Sequence, residues 1–263
     1  MKQADAAPAP PAAGEAAAVA RTLGREYVPD APEPSGCPLD ELIATILSQH
    51  TSDRNSHRAF ADLKKTFPTW SRAVAAGRRA IAAAIRAGGL ANQKAAWIEQ
   101  LLATLPRDEA GEPTLHYLAA MTKSAAYQHL QEFAGIGPKT AACTLLFAYG
   151  WPVFPVDVHV HRVARRLGWA GARESAEGTQ ARLMALVPPE DVWQLHMGMV
   201  RHGRQLCRPS NPGCQGCPVQ DHCLYWQDAA ARTAAAEGKA AEYQESTLQD
   251  SDSTAPDVGR DQR

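Results

Sequence analysis

Residues 130–150 read LQEFAGIGPKTAACTLLFAYG. An apolar helix end runs into Gly135-Ile136-Gly137, and Pro138 opens a second apolar helix. Glycines on both sides of a buried aliphatic allow a tight turn with φ > 0 and close backbone approach. Proline suits the first position of a helix, where its missing N–H costs little. The free N–H groups at such a helix start form an anion site. A plain helix–turn–helix connection also satisfies these residues. Lys139 sharpens the reading, because it falls in the first turn, where the helix dipole disfavours an ammonium and lowers its pKa. A partly neutral amine is a nucleophile toward a carbonyl or an anomeric carbon. On position alone, a phosphate-binding or solvated lysine is the simpler account.

Working outward, VFPVDVHVHRVARRLGW at 153–169 places Asp157 eighteen residues after Lys139, at the mouth of another helix. An aspartate there commonly serves as an N-cap. His159 and His161 fit surface or packing positions equally well. Upstream, PLDELIATILSQH sets Leu39, Leu42, Ile43, Ile46 and Leu47 at spacings of three and four, the helical period. Similar runs cover Arg54–Phe67, Ser71–Ala76, Arg79–Ala87, Asn92–Leu105, Ala125–Phe133, Pro138–Tyr149, Val158–Leu167, Gly178–Leu186 and Asp191–Gly203. Alternating β-branched runs between turn residues are nearly absent, so the expected class is all-α, with about ten short helices. The Ala/Pro-rich opening, 1–13, and the acidic stretch 228–263 lack apolar periodicity and read as tails.

The charge balance is consistent with a nucleic-acid partner without requiring one. The whole chain carries 27 basic and 28 acidic residues, but residues 31–227 carry 20 and 16. That bias toward positive charge suits a phosphate backbone, and equally a mildly basic enzyme with acidic tails. No run approaches the roughly 18 apolar residues of a membrane span. The N-terminus shows no charged start followed by a Leu/Val-rich run, so the expected setting is cytoplasmic. In a reducing compartment, clustered cysteines serve metals or chemistry more often than disulfides.

Four of the six cysteines crowd into CRPSNPGCQGCPVQDHC at 207–223, as Cys207-x6-Cys214-x2-Cys217-x5-Cys223. Structural zinc sites usually use two separated short-spaced pairs, and only one such pair is present. Four thiolates on one compact segment suit a [4Fe–4S] cluster better, with zinc remaining as the other candidate. Cys37 and Cys143 fall outside this spacing and read as ordinary buried or half-buried thiols.

The cysteine spacing, the GIGPKTA hairpin, the VDVH segment and GLANQKA at 89–95 together resemble the endonuclease III family of helix-hairpin-helix DNA glycosylases, across roughly residues 14–226. The resemblance implies two helical domains with a DNA-binding cleft between them. One is a six-helix domain with the hairpin, 31–151; the other joins 14–30 to 152–227 and holds the [4Fe–4S] cluster on Cys207, Cys214, Cys217 and Cys223. It also implies a catalytic Lys139 and Asp157, and a monomer acting on double-stranded DNA with damaged bases or abasic sites. Leu90 matches the family's apolar wedge, and His50 with Gln49 occupies the place of its gap-filling glutamine. Amides of Gly135 and Gly137, together with Arg208, are the implied phosphate contacts, with Arg201 and Arg204 nearby. Gln131 and His159 are the implied lining of the lesion pocket.

This chain departs from the family pattern at His50, where a glutamine is usual. It departs again at Gln131, in place of an acidic residue, and at Phe133-Ala134, in place of Leu-Pro. These changes point to an altered or narrowed lesion range. Adenine-specific relatives use a glutamate on the helix before SQHT and lack the hairpin lysine, whereas 42–47 here reads LIATIL. A non-catalytic, cluster-bearing binder of DNA structure, or a redox sensor, is the alternative from another class.

Overall fold

The computed structural model describes residues 14–28 and 33–229. The expected tails, 1–13 and nearly all of 228–263, lie outside the described residues. Among the described residues the α-helices are, in order, α1 (Glu15–Tyr27), α2 (Pro38–Ser48), α3 (Asp53–Thr66), α4 (Trp70–Ala84), α5 (Ala91–Thr104), α6 (Lys123–Leu130), α7 (Pro138–Tyr149), α8 (Val158–Leu167), α9 (Ala176–Leu186) and α10 (Val192–Gln205), with residues 224–229 helical as well. Among the described residues the β-pairing is one isolated bridge, Arg107 with Pro113, so the fold is all-α. The two helices expected over 71–87 form one run broken at Gly77, whose φ of 75° is not helical. Glu99 of α5 accepts from the Arg78 amide at 2.9 Å and so caps the second half of that run.

Two hydrophobic cores organise these helices. The first gathers α2–α7, with Leu42, Ile46, Ile81, Ile98, Leu102 and Leu145 fully or almost fully buried. The second gathers α1, α8, α9 and α10 around Leu23, Phe154, Val160, Trp169 and Met199. Helix α7 belongs to both. Its Ala141, Ala142 and Leu145 enter the first core, while Leu146 enters the second. Each such leucine contributes about 2 kcal/mol by leaving water, so this helix is pinned from two sides. Helices α1 and α10 pack closely, and a Cβ on Gly198 would stand 2.7 Å from Leu23 Cβ.

The hairpin before α7 has one strained glycine, not two. Gly135 has φ +79°, and a Cβ there would stand 2.3 Å from the Trp97 indole. Gly137 has φ −96° and ψ −178°, extended backbone open to any residue, and an added Cβ would meet nothing within 4 Å. The positive φ that the turn needs is thus carried by Gly135. Gly137 is exposed beside buried Ile136, and Pro138 occupies the first helical position as its ring requires.

Gly135→Ala combines a left-handed φ with overlap of the partly buried Trp97 ring, and its expected cost is about 2–4 kcal/mol. Urea unfolding midpoints of the two proteins measure it, and Gly137→Ala serves as the control with a loss under about 1 kcal/mol.

Candidate active site

Lys139 stands second in α7, half-buried, at the helix end carried by the hairpin. Asp157 stands at the N-cap of α8, and its Oδ1 accepts from the amides of His159 at 2.9 Å and Val160 at 2.8 Å. The N-cap reading of Asp157 is therefore correct, and it leaves Oδ2 for other work. The two charges meet at the same buried neighbours. Burial pushes the Cys143 thiol up, the Lys139 amine beside it pulls down, and Asp157 pushes up again. The His196 imidazole is pushed down to about 4, chiefly by burial; Asp157 opposes that shift and Lys139 adds to it. His196 is thus neutral, and its Nδ1 donates to the Pro155 carbonyl at 3.0 Å. That bond ties α10 to the extended segment leading into Asp157.

The other expected site residues divide into two groups. His50 and Leu90 are exposed and have φ of 53° and 48°. Among the described residues the only other non-glycine with positive φ is Asn211, in the cysteine loop. Such conformations disfavour L-residues and cluster where loops meet ligands. Arg208 is exposed at the edge of the cysteine loop.

Gln49 is turned inward instead. Its Nε2 donates to the Gly135 carbonyl at 3.0 Å and to Thr140 Oγ1 at 3.2 Å, stitching the end of α2 to the hairpin. Gln131 folds back on its own helix, donating to the Tyr127 carbonyl at 2.9 Å. His159 packs against α10, where a Cβ on Gly203 would stand 2.9 Å from its own Cβ, and its Nδ1 lies 3.1 Å from Arg162 Nη2.

Arg201 and Arg204 are likewise engaged within the protein. Arg201 donates to the Tyr27 carbonyl. Arg204 pairs with both oxygens of Asp53, its Nη2 at 3.2 Å from Oδ1, and so joins α10 to the start of α3. Cys37, expected to be at least half-buried, is exposed at the start of α2.

Cys207, Cys214, Cys217 and Cys223 line one cavity, with Val163, Leu167, Leu206 and Val219 around them. Burial pushes the thiols of Cys214, Cys217 and Cys223 up, Cys217 to about 11, and neighbouring thiolates push them further. Four thiolates here are stable only with a compensating cation, which is the donor set of a metal centre. Among the described residues no group of three or more His, Cys, Asp or Glu is placed to hold a metal ion.

The loop is fastened to α8 by two arginines that sequence reasoning passed over. Arg162 donates to the Cys207 and Gly203 carbonyls at 2.9 and 2.7 Å. Arg166 donates to Cys207 Sγ at 3.1 Å and to the Arg208 and Pro209 carbonyls at 2.8 and 3.1 Å. Their i, i+4 spacing on α8 was the available signal, since it puts both on one helix face. On the opposite side, His202 lies between the Tyr27 hydroxyl, 3.1 Å from Nδ1, and Cys217 Sγ, 3.8 Å from Nε2.

The hairpin, the Lys139–Asp157 arrangement and the four-cysteine cavity define a class, and comparison with known proteins agrees. Residues 43–189 match the family described as HhH-GPD superfamily base excision DNA repair protein. A protein of Arabidopsis thaliana named as a DNA glycosylase is 39% identical over 166 residues, 63% of this chain but only 56% of that relative's length. Endonuclease III of Thermotoga maritima is 32% identical over 191 residues, 72% of this chain and 84% of that one. Among solved structures, a trapped endonuclease III–DNA covalent intermediate superposes with a TM-score of 0.67 at 27% identity, covering 81% of this chain and 96% of that one. The chain belongs to the HhH-GPD superfamily of base excision DNA repair proteins and, within it, to the endonuclease III family.

His196 carries a pH signature. Its folded pKa of about 4 lies below the ordinary value of 6.5, so the folded state binds the proton less readily than the unfolded chain. Its contribution is fully present above about pH 6.5, declines as pH falls toward 4, and levels off below that. Thermal melts between pH 7 and pH 4 should show a falling midpoint. His196→Asn, which keeps a donor near Nδ1, should flatten part of that slope.

Proposed function

We propose that this chain is a bifunctional DNA glycosylase/AP lyase acting, as a monomer, on oxidised pyrimidines or abasic sites in double-stranded DNA, with an altered or narrowed lesion range. The observation that carries this reading is the placement of Lys139 in the first turn of α7, just past the hairpin, with Asp157 at the N-cap of α8, where its Oδ1 takes both amide bonds. A nucleophile and an anion so disposed suit chemistry at one sugar carbon. Likeness to a trapped endonuclease III–DNA covalent intermediate supports it further.

The flipped nucleotide presents C1′ to the amine of Lys139. As the bond from C1′ to the base breaks, its electron pair leaves with the base, which takes a proton. The Oδ2 of Asp157 stabilises the positive charge that develops on the sugar. The Lys139 nitrogen bonds to C1′ and, on opening of the ring, forms a Schiff base. Loss of a C2′ proton then drives the electron pair onto the 3′ oxygen, and the phosphate departs by β-elimination. The exposed backbone around Gly137 and the exposed Arg208 hold phosphates, while Leu90 and His50 enter the vacated stack. Glutamine at 131, tied to its own helix, offers no carboxylate to the base, which supports the changed lesion range.

The two cores correspond in this reading to a six-helix domain, 31–151, and a cluster domain, 14–30 with 152–227, with DNA bound between them. Endonuclease III proteins generally carry a [4Fe–4S] cluster. Here Cys207, Cys214, Cys217 and Cys223 would hold it, with Arg166 donating to one ligand sulfur. When bound, the cluster supplies the covalent cross-links that shape the loop bearing Arg208.

Incubation with abasic duplex DNA and borohydride should give a covalent adduct that Lys139→Ala abolishes; no adduct from the native chain would favour a non-catalytic binder. Asp157→Asn retains an N-cap and should lower kcat about 100-fold with DNA affinity little changed. Metal analysis should find about four irons per chain, sharply reduced in Cys214→Ser. One zinc and no iron would refute the cluster.

A further inference from the structure

Lys94 lies on the apolar face of α5 among Ala95, Ile98, Leu101 and Leu102, and it is 0% exposed. Its Nζ donates to the Leu47 carbonyl and to the Gly88 carbonyl, at 2.8 Å each. Burial holds its pKa below the ordinary lysine range. The two acceptors belong to helix ends: Leu47 to the last turn of α2, and Gly88 to the single 3-10 turn, Arg86–Gly88, that follows α4. Terminal carbonyls of this kind lack helical partners and carry the negative end of the helix dipole. A cation between two of them satisfies both.

What lies just beyond each acceptor gives the contact its meaning. His50 follows Leu47 by three residues and Leu90 follows Gly88 by two. Both are exposed and left-handed, with φ of 53° and 48°. The two segments adjoin: a Cβ on Gly88 would stand 3.8 Å from the Leu47 carbonyl oxygen and 3.0 Å from Ala59 Cβ. Strained non-glycine conformations persist only where their surroundings over-determine them. Lys94 is bonded to both segments immediately before the strain begins.

We propose that Lys94 is a positioning residue that holds the His50 and Leu90 segments in fixed register, so that both side chains enter the duplex together when a nucleotide leaves the stack. The inference rests on the glycosylase/lyase reading. Asp157 is fixed by α8, and Lys139 chiefly by the burial of α7 in both cores, with Gln49 adding a link from the end of α2, so loss of the staple should damage the handling of paired DNA far more than the chemistry.

Lys94→Met in the full chain removes the donors at similar size. Three readouts apply: cleavage of an abasic site in a duplex, borohydride trapping on the same abasic strand unpaired, and fluorescence of 2-aminopurine placed opposite a tetrahydrofuran abasic analogue. The expected result is a fall of at least tenfold in duplex kcat/KM, a change under twofold in single-strand trapping, and a reduced aminopurine response. On a Leu90→Ala background, Lys94→Met should lower duplex activity by less than a further threefold. Equal losses on duplex and single strand, an unchanged duplex rate, or full multiplication with Leu90→Ala would each overturn the proposal. If circular dichroism shows Lys94→Met unfolded, Lys94→Gln, which retains an amide donor, must show duplex loss with single-strand trapping kept; parallel losses overturn the idea again. A native chain that traps on neither substrate refutes the lyase reading instead, and the aminopurine response to Lys94→Met still decides whether the staple governs duplex entry.

Discussion

One helix shared by two cores is the constraint on which this structure depends. Helix α7 is buried along nearly its whole length, with Leu145 on one side and Leu146 on the other. Such a helix cannot slide or rotate without opening a core, because protein interiors are close-packed and voids are costly. Its N-terminus, bearing Lys139, is therefore held in place before any ligand arrives. The preceding turn is held as firmly, since Gly135 admits no side chain against Trp97 and Gln49 bonds both its carbonyl and Thr140.

The second charged partner is fixed by a different device. Asp157 closes the N-terminus of α8 through two amide bonds to one oxygen. Buried His196 holds the segment before it, and Arg162 and Arg166 bind the far side of α8 to the cysteine loop. The cysteine loop is thus mechanically continuous with the helix that presents Asp157. A displacement of that loop would be felt both near Arg208 and in the body of α8.

Much of this was legible from residue order. Helices α2, α3, α8 and α10 announce themselves by apolar residues at spacings of three and four, because each faces one core and water. Helix α7 has no such contrast, being buried all round, yet Pro138 and Gly150 mark its ends. The break at Gly77 was visible as a gap between two short patterns. The engagement of Gln49, Arg201, Arg204 and His159 was not legible, since the partners stand dozens of residues away or more and no local pattern encodes them. Lys94 was nearest to being seen, as a charged residue at an otherwise apolar helical position, quoted within GLANQKA but not weighed.

Residue order alone determined the class, the hairpin and the chemical inventory: an amine at a helix start, an acid at the next, and four thiols on one loop. These are short-range properties, set by propensity, capping and spacing. Only the tertiary structure decided which groups act on one another. It brought Lys139 and Asp157 to the same buried pair, turned Gln49 inward while leaving His50 out, and placed one lysine between two helix ends. Those outcomes follow from packing and from the need to satisfy every buried polar atom, conditions that exist only once the chain has closed on itself.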